Sequence, residues 1–204
     1  MAVAWVVSMV GAYVLGTFPT AILVGRRRGL DPTKEGSGNP GATNMYRVAG
    51  KKAGVIVLVG DIAKGVIPAL IGWAVDGRPL AFACWAAAVV GHVFPVFRRF
   101  RGGKGVATAG GGVIVLFPLV AGCCIVVFVA ILKTTKKGSL GSIVMAGFVP
   151  ILAATFGRPG WEVAVAAGVS AIVIGRHWSN LVRLARGTEP TVGAPSSPSS
   201  PPLS

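Results

Sequence analysis

Three short clusters bring together residue types that can handle a phosphate and a hydroxyl group. They are GSGNPGATNMYR (36–47), GHVFPVFRRFRGGKGVAT (91–108) and GRHWSNLVRLARGTE (175–189). Each sets glycine-rich backbone beside Lys or Arg at the edge of a long apolar run. In the first, Gly36, Gly38 and Gly41 with Asn39 and Pro40 force a turn that can expose successive N–H groups, a nest suited to an anion. Ser37, Thr43 and Asn44 add neutral donors, and Arg47 can fork onto a phosphate through two parallel bonds. The glycines spell G-x-G-x-x-G, but no strand precedes them and Pro40 sits inside, so the dinucleotide fingerprint is not supported.

The second cluster holds Gly102, Gly103 and Gly105 around Lys104. It lacks the first glycine and the Ser/Thr of a nucleotide-binding P-loop. Lys104 opens a predicted helix, so an anion there would meet an ammonium, flexible backbone N–H groups and the positive helix end. His92 falls at the end of the preceding apolar stretch and reads as a hydrogen-bonded structural histidine. The third cluster places Arg176, Asn180 and Arg183 at helical spacing on one face, with His177 three residues before Asn180. A His beside an Asn can orient or deprotonate a hydroxyl, or donate to an oxyanion.

These clusters need scaffolding, and the composition says of what kind. The chain has 204 residues, 53% hydrophobic and 13% charged, with mean hydropathy +0.72. That places it in the membrane class. A net charge of +14 would suggest nucleic acid in a soluble protein. Here the positive residues flank apolar segments, where insertion bias and anionic lipid account for them, and no nucleic-acid partner is expected. Cys84, Cys123 and Cys124 lie inside apolar stretches and read as small hydrophobes rather than metal ligands or disulfides.

The apolar segments are 2–25, 53–75, 80–97, 106–132, 139–156 and 161–174. The first is read as a retained helix rather than a signal peptide. If 106–132 crossed once, the Lys133, Lys136 and Lys137 loop would face outward, against the positive-inside rule. If it turns near Phe117-Pro118, every Lys and Arg except Arg78, Arg158 and the intramembrane Lys64 falls inside. The expected fold is therefore all-α and integral to the membrane. It has seven transmembrane helices, with the N-terminus outside and the C-terminus cytoplasmic. Helices four and five should be short, and Gly110-Gly111-Gly112 should let them pack closely.

Residues 1–189 form a single domain in this reading, followed by a disordered, dispensable Pro/Ser-rich tail, 190–204. Asp61 and Lys64, spaced i,i+3 inside the second helix, can pair as a structural element or brace the site. Ser139 and Ser142 can cap the following helix or donate to a bound phosphate.

In this order and spacing, SGNPGATN…R, GHVFPVF…GGKGVAT and RHWSNLVRL..GTE resemble the signature motifs of the acyl-phosphate-dependent glycerol-3-phosphate acyltransferases, the PlsY type. The resemblance implies a seven-helix bacterial inner-membrane enzyme with its site at the cytoplasmic face. Such enzymes move a fatty acyl group from acyl phosphate to the 1-hydroxyl of glycerol 3-phosphate, giving lysophosphatidic acid and phosphate. They take neither acyl-CoA nor acyl carrier protein as donor and need no metal or cofactor. By position, Ser37 and Arg47 match essential residues of the first motif, and Lys104 with its glycines matches the glycerol-phosphate loop. His177 and Asn180 match the catalytically important pair, and Glu189 a glutamate tied to structural integrity. Thr33 and Trp178 depart from commonly basic positions. The H-x-x-x-x-D motif of CoA-dependent acyltransferases is absent.

Acyl phosphate is already activated, so positioning and charge stabilisation suffice without a covalent nucleophile. The site expected is Lys104, Arg47 and Ser37 on phosphates, with His177 and Asn180 orienting the hydroxyl. Proton removal by His177 and removal by a substrate phosphate oxygen both remain open. Gly38, Asn39, Gly41, Thr43, Asn44, Gly102, Gly103, Gly105 and Ser142 line that site, while Glu189, Asp61 and Lys64 support it. A monomer in contact with membrane lipid is expected. The competing class is a small multi-helix anion transporter with Asp61 and Lys64 as midplane charges. Transporters string polar groups across the bilayer, whereas here they gather at one face.

Overall fold

The computed structural model describes residues 1–192, and every regular element among them is helical. Helices α1 (Ala2–Gly16) and α2 (Thr20–Arg26) form the first crossing. The sequence suggested one unbroken helix. Pro19 interrupts it, because proline has no N–H and its ring pushes the preceding residue out of the helical region.

Helix α3 (Ala42–Val93) carries non-helical dihedrals at Gly50, Asp76 and Gly77, which divide it into a short arm and two crossings. The crossings fold back on each other, with Gly72 against the Leu80–Ala81 backbone. A 3-10 turn (Val96–Arg98) and the glycine loop lead into α4 (Val106–Leu116) and α5 (Pro118–Thr135). The turn at Phe117-Pro118 is present. Only α4 is short, however: its 11 residues span about 16 Å, whereas α5 runs 18 residues because the helix continues past Lys133. Helices α6 (Gly138–Thr155) and α7 (Gly160–Gly175) complete seven crossings, and α8 (Trp178–Ala185) is a short terminal helix.

Small residues set the spacing. Gly65 faces the Thr108 carbonyl and Gly111 the Ile62 carbonyl, so α3 and α4 meet backbone to backbone. Gly112 meets Trp85, while Gly110 borders open space. The end away from the three clusters is clamped by charge. Arg78 Nε donates to Glu162 at 2.7 Å, Arg158 Nε at 3.1 Å, and Arg78 also reaches the Leu116 carbonyl. Within the stretch assigned to a tail by composition, Pro190 is exposed and Val192 is half-buried, its N–H donating to Lys136 O at 2.7 Å. The remainder of that tail lies outside the described residues.

Candidate active site

The three clusters meet. A cavity of about 370 Å³ is bordered by Ser37, Asn39 and Arg47 from the first, Lys104 and Gly105 from the second, and His177, Asn180 and Glu189 from the third. Lys104 Nζ donates to Asn180 Oδ1 at 2.6 Å, tying the second cluster to the third. Asn180 Nδ2 donates to Glu189 Oε1 at 2.7 Å, Arg183 Nε to Glu189 Oε2 at 2.8 Å and Ser139 Oγ to Glu189 Oε1 at 2.6 Å. Burial works against the Glu189 carboxylate, yet the bonds from Ser139, Asn180 and Arg183 outweigh it and hold its pKa below the usual glutamate value.

The third cluster is not one continuous helix. Helix α7 ends at Gly175 and α8 starts at Trp178, so His177 is the N-cap of α8. Asn180 and Arg183 turn to Glu189, while Arg176 Nη2 donates to the Gly102 carbonyl at 3.3 Å. His177 Nδ1 lies 2.7 Å from the Val173 carbonyl, which can only accept, so Nδ1 carries the proton. Burial pulls the imidazole pKa down to about 4, partly countered by that bond and reinforced by Lys104. The ring is therefore neutral near pH 7 and presents an unprotonated Nε2. Burial likewise lowers the Lys104 pKa to about 8, against the pull of Glu189 and with help from Arg183, Arg176 and Arg47.

Several expected donors are already engaged. Asn44 is a brace: its Oδ1 accepts the Ser37 N–H at 2.9 Å, and its Nδ2 donates to the Pro32 and Glu35 carbonyls. Gly38 N–H goes to Glu35 O and Gly41 N–H to Asn39 O, so the loop's nest is largely self-bonded. Gly102 and Gly103 donate to the Val93 and His92 carbonyls. A Cβ on Gly103 would collide with His92 Nε2, so glycine lets that loop lie on the histidine. Ser142 Oγ donates to Gly138 O at 2.9 Å, and neither serine caps α6. Arg47 differs: the residue borders the cavity with Thr43 and Gly41 of the uncapped α3 start, while its Nε is buried behind that wall without a hydrogen-bond partner. Such a group calls for an anion.

Asp61 and Lys64 pair at 2.7 Å, both buried. Asp61 also lies 3.9 Å from His92 Nδ1, and its carbonyl accepts the Thr108 hydroxyl at 3.0 Å. Lys64 and Gly103 border a separate small cavity next to the α1–α2 break, and Gly38 and Gly102 border an outer one. That outer space, about 700 Å³, is a basic vestibule with Arg98, Arg99, Arg101 and Arg176 in its wall. It shares Ser37, Asn39, Lys104 and Arg183 with the inner cavity. Arg183 and Ser139 are site members that motif spacing alone underweighted; the three-residue step from Asn180 was the available signal for Arg183.

Inward, the cavity becomes apolar. Val113 lies seven residues into α4, Val149 eleven into α6 and Ala121 fourteen from the end of α5, a depth of roughly 10–20 Å. Its side wall includes Leu58 of α3 and Ile125 of α5, 41% and 52% exposed. The slot therefore opens toward lipid.

A basic, water-facing vestibule joined to a lipid-open apolar slot defines a polytopic membrane protein able to bring a soluble anion to a long-chain molecule. Comparison narrows the class. The family model for glycerol-3-phosphate acyltransferase matches residues 6–187, and the chain belongs to that family. It is 44% identical over 182 residues to a glycerol-3-phosphate acyltransferase of Trichlorobacter lovleyi, covering 88% of this chain and 93% of the relative. It is 41% identical to that of Geobacter sulfurreducens, covering 87% and 92%. The crystal structure of PlsY (YgiH), an integral membrane glycerol 3-phosphate acyltransferase, in its glycerol 3-phosphate form superposes with TM-score 0.89 at 37% identity, covering 93% of this chain and 96% of that one. The lysophosphatidic acid form gives 0.86 at 36% identity, covering 92% and 94%.

Proposed function

We propose that this protein transfers a fatty acyl group from acyl phosphate to the 1-hydroxyl of glycerol 3-phosphate, releasing lysophosphatidic acid and phosphate. Glycerol 3-phosphate enters through the arginine vestibule, and the acyl donor lies in the apolar slot. The observation that carries this reading is the shared wall of Ser37, Asn39, Lys104 and Arg183 where the two spaces join. Lys104 and Arg47 hold phosphate oxygens, with Ser37 as a neutral donor. Both substrates bear phosphate, and the unpartnered Arg47 Nε supports that role.

His177 and Asn180 orient the attacking hydroxyl. The hydroxyl oxygen adds to the acyl carbonyl carbon, its proton passes to a phosphate oxygen, and the acyl C–O bond to phosphate breaks. With a pKa of about 4, His177 is a weaker base than a phosphate monoester, whose second pKa is about 6. The substrate phosphate is thus the better proton acceptor, and the imidazole holds the hydroxyl in line. Arg78 and Arg158 lie together on Glu162 at the end away from the three clusters, whereas the other Lys and Arg outside the membrane flank the site end. The positive-inside rule then puts the site at the cytoplasmic face of a bacterial inner membrane, with the N-terminus outside.

The test is purified protein in lipid, given labelled glycerol 3-phosphate with acyl phosphate or acyl-CoA separately. Lysophosphatidic acid from acyl phosphate alone is expected. Product from acyl-CoA only would refute the donor, and vesicle uptake of label without acylation would favour transport.

A further inference from the structure

The lateral opening has a fastening. Helix α3 packs on α1, α2, α4 and α7, and α6 on α4, α5 and α7, while α3 and the α5–α6 pair scarcely meet. Leu58 of α3 and Ile125 of α5 both line the cavity at this seam. At its polar end, a chain segment crosses from α8 to the α5–α6 turn. Gly187 starts it with φ +71°, Thr188 N–H donates to Arg183 O at 2.9 Å, and Glu189 holds Ser139, Asn180 and Arg183. Val192 N–H then reaches Lys136 O at 2.7 Å. Pro190 and Val192 both border the inner cavity. A Cβ on Gly138 would meet Val192 Cγ2 at 3.2 Å and Thr43 Cγ2 at 4.0 Å, so α3, α6 and this segment converge there.

We propose that Pro190–Val192 are a positioning strap that closes the polar end of the seam and keeps bulk water from the acyl donor. The inference rests on the slot holding acyl phosphate. That anhydride has a competing fate. Water can add to the acyl carbon and break the same C–O bond, giving fatty acid and phosphate, with the two water protons divided between the products. A site open to both a hydrated vestibule and lipid must suppress this reaction while it waits for glycerol 3-phosphate. Proline suits the position: it needs no hydrogen-bond acceptor for its nitrogen and is stiff. Val192 is pinned by its backbone and turns an apolar side chain inward.

The experiment compares the full chain, a chain ended after Val192 and a chain ended after Glu189, all in lipid with acyl phosphate. Lysophosphatidic acid and free fatty acid are measured in the same sample at limiting glycerol 3-phosphate. Fatty acid formed in protein-free lipid is subtracted first, so that the ratio reads folded enzyme alone and is not moved by lost protein. The chain ended after Val192 should match the full chain. The chain ended after Glu189, which keeps the Glu189 bonds, should raise the fatty acid share about fivefold, the shift that losing one net backbone hydrogen bond gives a closure equilibrium. Val192→Asp should do the same. An unchanged ratio in both variants overturns the strap. A full chain that makes neither product from acyl phosphate refutes the donor reading instead.

Discussion

Replacing Gly103 with alanine isolates what the glycine loop is for. The Gly103 N–H donates to the His92 carbonyl at 3.2 Å, and the new methyl would sit against His92 Nε2, about 1 Å inside ordinary contact. His92 is 8% exposed and packed near Asp61, so the loop yields rather than the ring. Lys104 follows directly and carries its 2.6 Å bond to Asn180 with it. A misplacement on the order of 1 Å costs about 10²-fold, or about 2.7 kcal/mol of transition-state stabilisation. Gly103→Ala should therefore lower kcat/KM for glycerol 3-phosphate by about that factor in lipid nanodiscs. The obstacle is a side chain, so in a His92→Ala background the same substitution should cost less than about threefold. Gly102→Ala is the control: its methyl would strike the His92 and Val93 carbonyls, and His92→Ala should not relieve it. Equal losses from Gly103→Ala in both backgrounds would refute the reasoning.

Charge on Lys104 sets a second expectation. Its pKa is lowered to about 8, so the ammonium proposed to hold the phosphate is lost as pH rises through that value. The KM for glycerol 3-phosphate should rise above pH about 8, and a KM flat to pH 10 would contradict this. A third concerns the buried pair. Asp61→Asn leaves the Lys64 ammonium buried and unmatched, which should destabilise the fold by about 3–5 kcal/mol, while Asp61→Leu with Lys64→Met should cost clearly less. Thermal unfolding in detergent compares the two.

What the sequence revealed follows from what has a local signature. Seven crossings and the turn at Phe117-Pro118 could be read because a 30 Å apolar layer and the placement of Lys and Arg leave few alternatives. Convergence of the three clusters could be read for the same reason, since they share one face. Orientation of individual groups could not. Asn44 looks like a free donor until the Pro32 and Glu35 carbonyls appear beside it, twelve and nine residues back. Spacing put Arg176 on a face with Asn180, but the helix breaks between them: His177 sits at the N-cap position of α8 with φ −96° and ψ 11°, and its ring turns back to Val173 rather than capping α8. The strap was missed because composition dominated: Pro190 and Val192 sit in a run that reads as disordered, and the partners of Val192, Lys136 and Gly138, lie more than fifty residues back in the chain. The unequal lengths of α4 and α5 were hidden for a related reason. The buried glycine loop stands in for the turns that α4 lacks, which no apolar count can show.

The sideways mouth between Leu58 and Ile125 has a thermodynamic consequence. A fatty tail handled through it never leaves hydrocarbon, so no extraction cost of roughly 0.8 kcal/mol per methylene is imposed on arrival or departure. Turnover then becomes sensitive to bilayer thickness and fluidity rather than to the viscosity of the surrounding medium. Longer chains do not depart more slowly merely because they are greasier.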